Sequence, residues 1–530
     1  MALKIIMLVV FFGIMVGIGV YCRRHSTDVN GFVLGGRQVG PWLTAFAYGT
    51  SYFSAVIFVG YAGQFGWKFG ISATWIGLGN AFLGSLLAWV VLGRRTRIMT
   101  QHIGSATMPD FFEKRFHNKQ LKVAASVVIF VFMIPYTASL YNGLSRLFGM
   151  AFDVPYTYCV IGMSVLTAIY VIVGGYMATA VNDFIQGIIM LFGIVAVIVA
   201  VLNKHEGFLG SLDALAQYKE TVTAADGTIT ESAPGIFNSF FGPKPMELFG
   251  VVILTSLGTW GLPQMVGKFY AIKNEGSIHK GTVISTVFAL IVAGGCYFLG
   301  GFGRLFATSE SVTANGFDSI VPSMLSNLSD LLIAVVIILV LSASMSTLSS
   351  LVLTSSSTLT LDLLKGRVIK DMDEKKQLKV IRLFILVFIV IAGGLAILQY
   401  RSKVAFIAQA MGISWGAMAG AFLAPFLYGL YWKKTSAAAV WTSMIFSSVY
   451  MILNMFNTLG AAMPAWLFPE FLGFNLASPI NAGAFCMIAG LVLVPVVSLF
   501  TPKPDKAIVD DTFSDYARPV TVRQTETLGD

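Results

Sequence analysis

Thirteen apolar stretches, each long enough to cross the ~30 Å hydrocarbon layer of a bilayer, follow one another along the chain. They fall at about 3–21, 43–64, 71–93, 122–148, 156–174, 177–202, 246–267, 281–305, 331–363, 380–399, 404–430, 436–457 and 480–500. Backbone N–H and C=O groups cannot be left open in lipid, so the sequence predicts an all-α membrane protein of about 13 transmembrane helices. Composition agrees: 56% of the 530 residues are hydrophobic and 12% charged, where a soluble domain has about half and about a quarter.

The net charge of +9 does not point to nucleic acid, because the basic residues come in small groups beside apolar spans. Counting from an outside N-terminus, the inward turns collect Arg23, Arg24 and Arg37, then Arg94, Arg95 and Arg97, then Lys268, Lys273 and Lys280, and later groups through Lys503 and Lys506. The positive-inside rule therefore predicts a multi-pass protein of the cell (inner) membrane, with the N-terminus outside and the C-terminus in the cytoplasm. The first span lacks a small-residue cleavage pattern and ends at Arg23-Arg24, so it reads as retained. Cys22, Cys159, Cys296 and Cys486 are far apart, and all five histidines lie in loops. Neither a metal centre, a disulfide framework nor Ser-His-Asp chemistry has the residues it needs, and an enzyme is not expected.

One long polar loop, 203–245, carries a turn signal at Ala224 to Gly227 and reads as a small extracytoplasmic surface structure. The tail 501–530 reads as cytoplasmic, too short and too polar to fold alone.

Two spans are interrupted. Tyr48 to Ser54 breaks the second, and Thr255 to Pro263 breaks the seventh. Each opens a group of five spans, the pattern of an inverted-repeat secondary transporter with its site near the midplane. The expected organisation is a peripheral helix and loop at 1–42, a first repeat at 43–202, the loop at 203–245, a second repeat at 246–430, peripheral helices at 431–500 and the tail.

The stretch Leu331 to Lys365 starts apolar and then becomes rich in serine and threonine at mid-membrane depth. At 3.6 residues per turn, Ala343, Ser346, Thr347 and Ser350 share one stripe, with Ser349 at its edge. Their oxygens are hard ligands suited to a small cation; equally, such hydroxyls bond back to their own helix or glue helices together. Asp183 is an aspartate within a span, which costs on the order of 2.5–3.5 kcal/mol on insertion scales unless partnered. It either meets a cation or caps backbone N–H groups near the cytoplasmic end of its helix.

Several motifs carry a resemblance: Leu34 to Arg37 (LGGR), Met108 to Phe116 (MPDFFEKRF), Gly174 to Gln186 (GGYMATAVNDFIQ), Gly261 to Gln264 (GLPQ), Met345 to Leu348 (MSTL) and Pro425 to Lys433 (PFLYGLYWK). In these the chain resembles the sodium:solute symporter family over nearly its whole length. The resemblance implies the leucine-transporter fold, with two inverted five-helix repeats. It implies a first Na+ site formed by the carbonyls of Thr50, Phe53 and Ala343 and the hydroxyls of Ser346 and Thr347. It implies a second Na+ site, found in some members, at Asp183, Ser346, Ser349 and Ser350. The coupling ion is thus Na+, one or two per cycle. Substrate-facing positions by the same resemblance are Ser54, Ile57 and Phe58, Tyr136, Thr255, Ser256, Thr259 and Trp260, and Gln409, Ser414 and Trp415. Trp260 reads either as a lid or as packing.

Val56 and Ile57 are apolar where sugar-transporting members grip hydroxyls, and no arginine stands near Tyr136 as in sialic-acid members. The wording of the motifs is nearest to the proline and pantothenate branches, but Tyr52 stands in place of an aspartate of the proline branch, Val56 in place of a tryptophan, and Thr255 and Thr259 in place of a tryptophan and a tyrosine. The expected function is Na+-coupled symport of a small carboxylate-bearing solute such as proline or pantothenate, by alternating access. The alternatives are a Na+-coupled sugar or sialic-acid symporter, a transporter-like membrane sensor, and a channel; the last needs a continuous polar pore, whereas the polar residues here cluster at one depth. The expected partners are the solute and the lipid bilayer, with no nucleic acid and no obligatory protein partner indicated.

Overall fold

Runs of apolar residues that must close their own backbone hydrogen bonds become helices, and long helices dominate the computed structural model, which describes residues 2–517 apart from 24–26, 153, 224–228, 327, 366–367, 370–371, 403–406 and 472. The turn at Ala224 to Gly227, the tail beyond 517 and Arg24 lie outside the described residues. Among the described residues ten helices are long and apolar enough to cross a membrane, or eleven with the bent pair Pro245–Gly261 and Pro263–Ala271 counted as one span.

The difference from thirteen is a matter of continuity. The segments Val56–His102 and Tyr156–His205 hold 47 and 50 residues, about 70 Å of helix at 1.5 Å per residue and more than twice the hydrocarbon thickness. Each contains a glycine with positive φ, Gly70 at +63° and Gly175 at +57°, where the chain turns without a polar loop. A Cβ at Gly70 would lie 2.0 Å from the Phe237 carbonyl oxygen, and one at Gly175 2.7 Å from the Phe32 ring. Only glycine combines that backbone conformation with that close approach. A further correction concerns the seventh span, expected at 246–267 with Lys268 in a loop: the helix resumes at Pro263, runs to Ala271, and buries Lys268.

At the centre stands the helix Asp330–Thr358, in which every residue from Val336 to Leu353 is buried. A helix covered on all sides has no amphipathic stripe. It packs against Pro41–Tyr52, Lys119–Phe152, Tyr156–Leu202 and Glu374–Ser402. The outer helices instead expose apolar side chains such as Val9, Val131, Phe192, Val390 and Phe500 to lipid.

The basic groups at Arg94, Arg95, Arg97, Arg115 and Lys122 gather at one end of the bundle, here termed the basic end. The described part of the tail, up to 517, docks there: the helix Lys506–Phe513 is tied down by Lys433 to Asp510 at 2.7 Å, and the turn after it by His102 to Asp515 at 2.8 Å and by the Tyr516 hydroxyl donating to Leu430 O at 2.8 Å. At the opposite end the 203–245 loop forms a helix, Gly207–Gln217, and a strand pair, Thr221–Thr223 with Ile229–Glu231. Arg304 holds it: the guanidinium lies 3.7 Å over Phe237 and 4.4 Å over Trp67, donates to Trp67 O at 2.8 Å and pairs with Glu220 at 3.1 Å. Arg304→Met should release the loop at a loss of roughly 2–3 kcal/mol, from cation–π and charge-assisted bonds together. Limited proteolysis should then cut within 218–235 faster than in the wild type; unchanged cutting would remove Arg304 as the anchor.

Candidate functional site

The first broken span consists of Pro41–Tyr52, an extended Phe53 (φ −88°, ψ 123°) and a wider π-helical turn, Val56–Tyr61, that leads into Ala62–Phe69. An interrupted helix frees carbonyls that would otherwise accept from the next turn. Two of these, Thr50 O and Phe53 O, face the serine-rich part of Asp330–Thr358. Ser346 Oγ is 2.9 Å from Thr50 O and 3.0 Å from Ala343 O, and Thr347 Oγ1 is 3.2, 3.2 and 3.1 Å from Thr50 O, Phe53 O and Ala343 O. All five residues are buried.

Two hydroxyl protons cannot serve all these contacts at once. The cluster holds three carbonyls and two hydroxyls, so lone pairs far outnumber protons. An oxygen-rich, water-excluded knot of this kind fits a small hard cation. The break itself is pinned, because Ala55 N donates to Ser344 Oγ at 3.2 Å while that hydroxyl donates to Val340 O at 2.8 Å.

The second predicted group is assembled differently from expectation. Ser349 donates back to Ser346 O at 2.9 Å, and Ser350 Oγ lies 2.8 Å from Ser51 Oγ. Asp183 is no helix cap: it sits two turns beyond the Gly175 kink, fully buried, and its carboxylate lies 3.7 Å from the Lys268 ammonium, which also donates to Ser350 Oγ at 3.1 Å. The sequence does not single out Ser51, and it places Lys268 among the loop cations. The signal was present, since Lys268 is followed by Phe-Tyr-Ala-Ile272 and so lies inside an apolar run.

The predicted substrate-facing residues divide. Ile57 and Phe58 are buried in the π-helical turn, Ser54 Oγ accepts from Val56 N at 3.2 Å, and the Tyr136 ring meets Trp415 edge-on at 5.9 Å, with Ser54 and Trp415 facing its hydroxyl. Ser414 donates back to Ala410 O at 3.0 Å. The second broken span turns its polar atoms elsewhere, onto the helical stretch Asn80–Leu87: Ser256 reaches Asn80 Oδ1 at 3.2 Å, Thr259 reaches Gly84 O at 2.9 Å and Trp260 Nε1 reaches Leu83 O at 2.9 Å. Thr255 donates to its own helix at Val251 O, 2.8 Å away. Trp260 is thus a packed side chain with its N–H engaged. Gln409 lies apart, in a recess of about 1270 Å³ at the end away from the basic groups, beside Gln64, Asn142 and Gln399.

A second recess, of about 700 Å³, opens at the basic end and is lined by Arg37, Asp110, Lys114, Lys122 and Asp362 among others. Burial alone would raise the Asp110 carboxyl, but Lys122 at 2.8 Å and Lys114 at 3.0 Å outweigh it and hold the group below its usual 3.8.

The chain is similar along most of its length to several named proteins. The sodium/proline symporter 2 of Staphylococcus saprophyticus is 28% identical over 522 residues, covering 96% of this chain and 94% of the relative. The sodium/proline symporter of Staphylococcus aureus is 28% identical over 521 residues, with the same coverage. Among solved structures, a Na+-coupled sialic acid symporter in its substrate-bound, outward-open state superposes with a TM-score of 0.72 at 15% identity, covering 95% of this chain and 99% of that one, which establishes the leucine-transporter-like fold. The family model for sodium:solute symporters matches residues 32–447, and the chain therefore belongs to the sodium:solute symporter family.

Proposed function

We propose that the protein couples the inward movement of Na+ to uptake of a small carboxylate-bearing solute, with proline or a similar amino acid first in order and pantothenate next. The observation that carries the Na+ part is the cluster of Thr50 O, Phe53 O, Ala343 O, Ser346 Oγ and Thr347 Oγ1, which joins the break of one repeat to the serine helix of the other. A cation held there favours one arrangement of break and helix, and that is how ion binding can bias a two-state transporter. The amino-acid part is supported by the relatives, two of which are sodium/proline symporters. It is also supported by the buried wall of side chains Ile57, Phe58, Tyr136 and Trp415 beside the first break, which is largely apolar with a few polar atoms. A small zwitterion with a hydrocarbon ring suits such a wall, its carboxylate taken by N–H groups at the break.

In this reading 43–202 and 246–430 are the two repeats, 1–42 and 431–500 flank them, and the basic end faces the cytoplasm, which leaves the N-terminus outside. The recess of about 1270 Å³ is the outer approach and the recess of about 700 Å³ the inner one. One Na+ entering through 100 mV supplies ~2.3 kcal/mol, roughly a fifty-fold accumulation before any Na+ gradient is counted.

Thermal melting of the purified protein against amino acids, short organic acids, pantothenate and sugars, each in Na+ and in K+, tests the proposal. Proline or a near relative at about 100 times its Kd should stabilise the folded state by roughly 2.7 kcal/mol in Na+ and not in K+. Equal stabilisation in K+ would overturn Na+ coupling, and stabilisation by sugars alone would overturn the solute class.

A further inference from the structure

Four elements meet at Lys268. It is carried by Pro263–Ala271, the second half of the second broken span; Asp183 comes from Tyr156–Leu202, Ser350 from the serine helix and Ser51 from Pro41–Tyr52. The ammonium lies 3.1 Å from Ser350 Oγ and 3.7 Å from Asp183 Oδ2, with the Tyr176 ring centroid 5.2 Å away. Ser350 Oγ is 2.8 Å from Ser51 Oγ, which extends the group to the first broken span. Lys268 is 3% exposed and Asp183 fully buried.

A carboxylate and serine hydroxyls gathered in a dry site are what a second coupling ion would require. Here they already surround a positive charge that cannot diffuse away. A Na+ entering among Asp183 and Ser350 would sit within a few ångströms of that ammonium, in a medium that screens the repulsion poorly. It would also have to take a carboxylate from a buried lysine that has no other anion within salt-bridge distance among the described residues.

We propose that the Lys268 ammonium is a tethered cation that fills the second ion position, so that this chain binds and couples a single Na+, at the Thr50 to Thr347 cluster. The inference rests on the Na+-symporter reading and specifies its stoichiometry. In place of a mobile ion, Lys268 ties the second broken span to the serine helix and to the helix that carries Asp183. Its role is positional: its hydrogen bond and ion pair go to Ser350 and Asp183, which are not members of the Thr50 to Thr347 cluster.

The test is equilibrium binding of radioactive ²²Na+ alone to the purified full-length protein, counted per polypeptide. Wild type should bind one ion. Lys268→Met, which keeps the apolar stem and removes the charge, should bind two, and the double variant Lys268→Met, Asp183→Asn should return to one. Lys268→Arg should stay at one, which a general loosening of the site would not produce. Two ions in the wild type, or one in a well-folded Lys268→Met, would overturn the inference while leaving Na+ symport intact. No ²²Na+ binding in the wild type would overturn the symporter reading itself. Should Lys268→Met fail to fold, the counts for wild type and Lys268→Arg still decide, because two ions in either contradicts a filled second position.

Discussion

Ser346→Ala combined with Thr347→Val is expected to abolish Na+-dependent stabilisation and uptake, and either change alone to raise the Na+ concentration needed for half-maximal effect at least 10- to 100-fold, the scale seen when even outer-shell groups of a metal site are lost. Thr347 is the sharper probe, because its hydroxyl reaches Thr50 O, Phe53 O and Ala343 O at 3.1–3.2 Å and valine preserves its volume. No cavity is created, so a loss of Na+ response cannot be laid to packing. Ser346→Ala removes the contacts at 2.9 and 3.0 Å to Thr50 O and Ala343 O. Both residues are fully buried, and water cannot readily replace the missing oxygens. The measurement is the melting temperature and initial uptake rate of each variant as Na+ is titrated against K+ at constant ionic strength. A double variant with the wild-type Na+ response would remove this cluster as the coupling site.

Gly66→Ala should be among the most damaging single added methyl groups at the described residues. The added Cβ would lie 1.8 Å from the Gly300 carbonyl oxygen and 2.1 Å from its carbon, and Gly300 is pressed just as closely on Ala62 O, with a Cβ there at 2.1 Å. Both partners are backbone, so no rotamer change relieves the clash, and the helices Ala62–Phe69 and Glu275–Gly300 must move apart. Overpacking usually costs 1–3 kcal/mol, and a backbone-to-backbone clash belongs at or above the top of that range. Helix contacts in lipid depend on this kind of close approach, since no hydrophobic effect drives helices together there. The control is Gly149→Ala, which meets nothing within 4 Å and gains helix propensity. Size-exclusion profiles and melting temperatures should show Gly66→Ala aggregated or strongly destabilised beside a normal Gly149→Ala; equal behaviour would mean the two helices do not cross as closely as described.

Part of the five-oxygen cluster was legible in the residues before any fold was known. Ala343, Ser346 and Thr347 follow the i, i+3, i+4 rule of a helix face, and Tyr48 to Ser54 announces a break by placing small and polar residues in an apolar run. The many-helix, membrane-spanning character was legible as well, because hydropathy is a property of local sequence, although the thirteen apolar stretches are joined into ten or eleven spanning helices among the described residues. The turns at Gly70 and Gly175 were less so, since neither is marked by a polar loop. Lys268 was misread for a comparable reason: a lysine after a long apolar run looks like a cytoplasmic loop cation unless its partner, 85 positions earlier in the chain, is known to face it. The orientation of the substrate-facing set was the least legible. Helical phase gives the direction of a side chain relative to its own axis, and only the packing shows that the second broken span turns Ser256, Thr259 and Trp260 onto Asn80–Leu87.

By itself, then, the sequence determined a many-helix membrane chain with two interrupted spans and one oxygen-bearing stripe, because length, hydropathy and helical period act over neighbouring residues. Only the tertiary structure decided which oxygens meet across the break, and that a lysine occupies the place beside Asp183. Those are matters of how separate helices are rotated and set against one another, and packing between distant segments chooses the rotation.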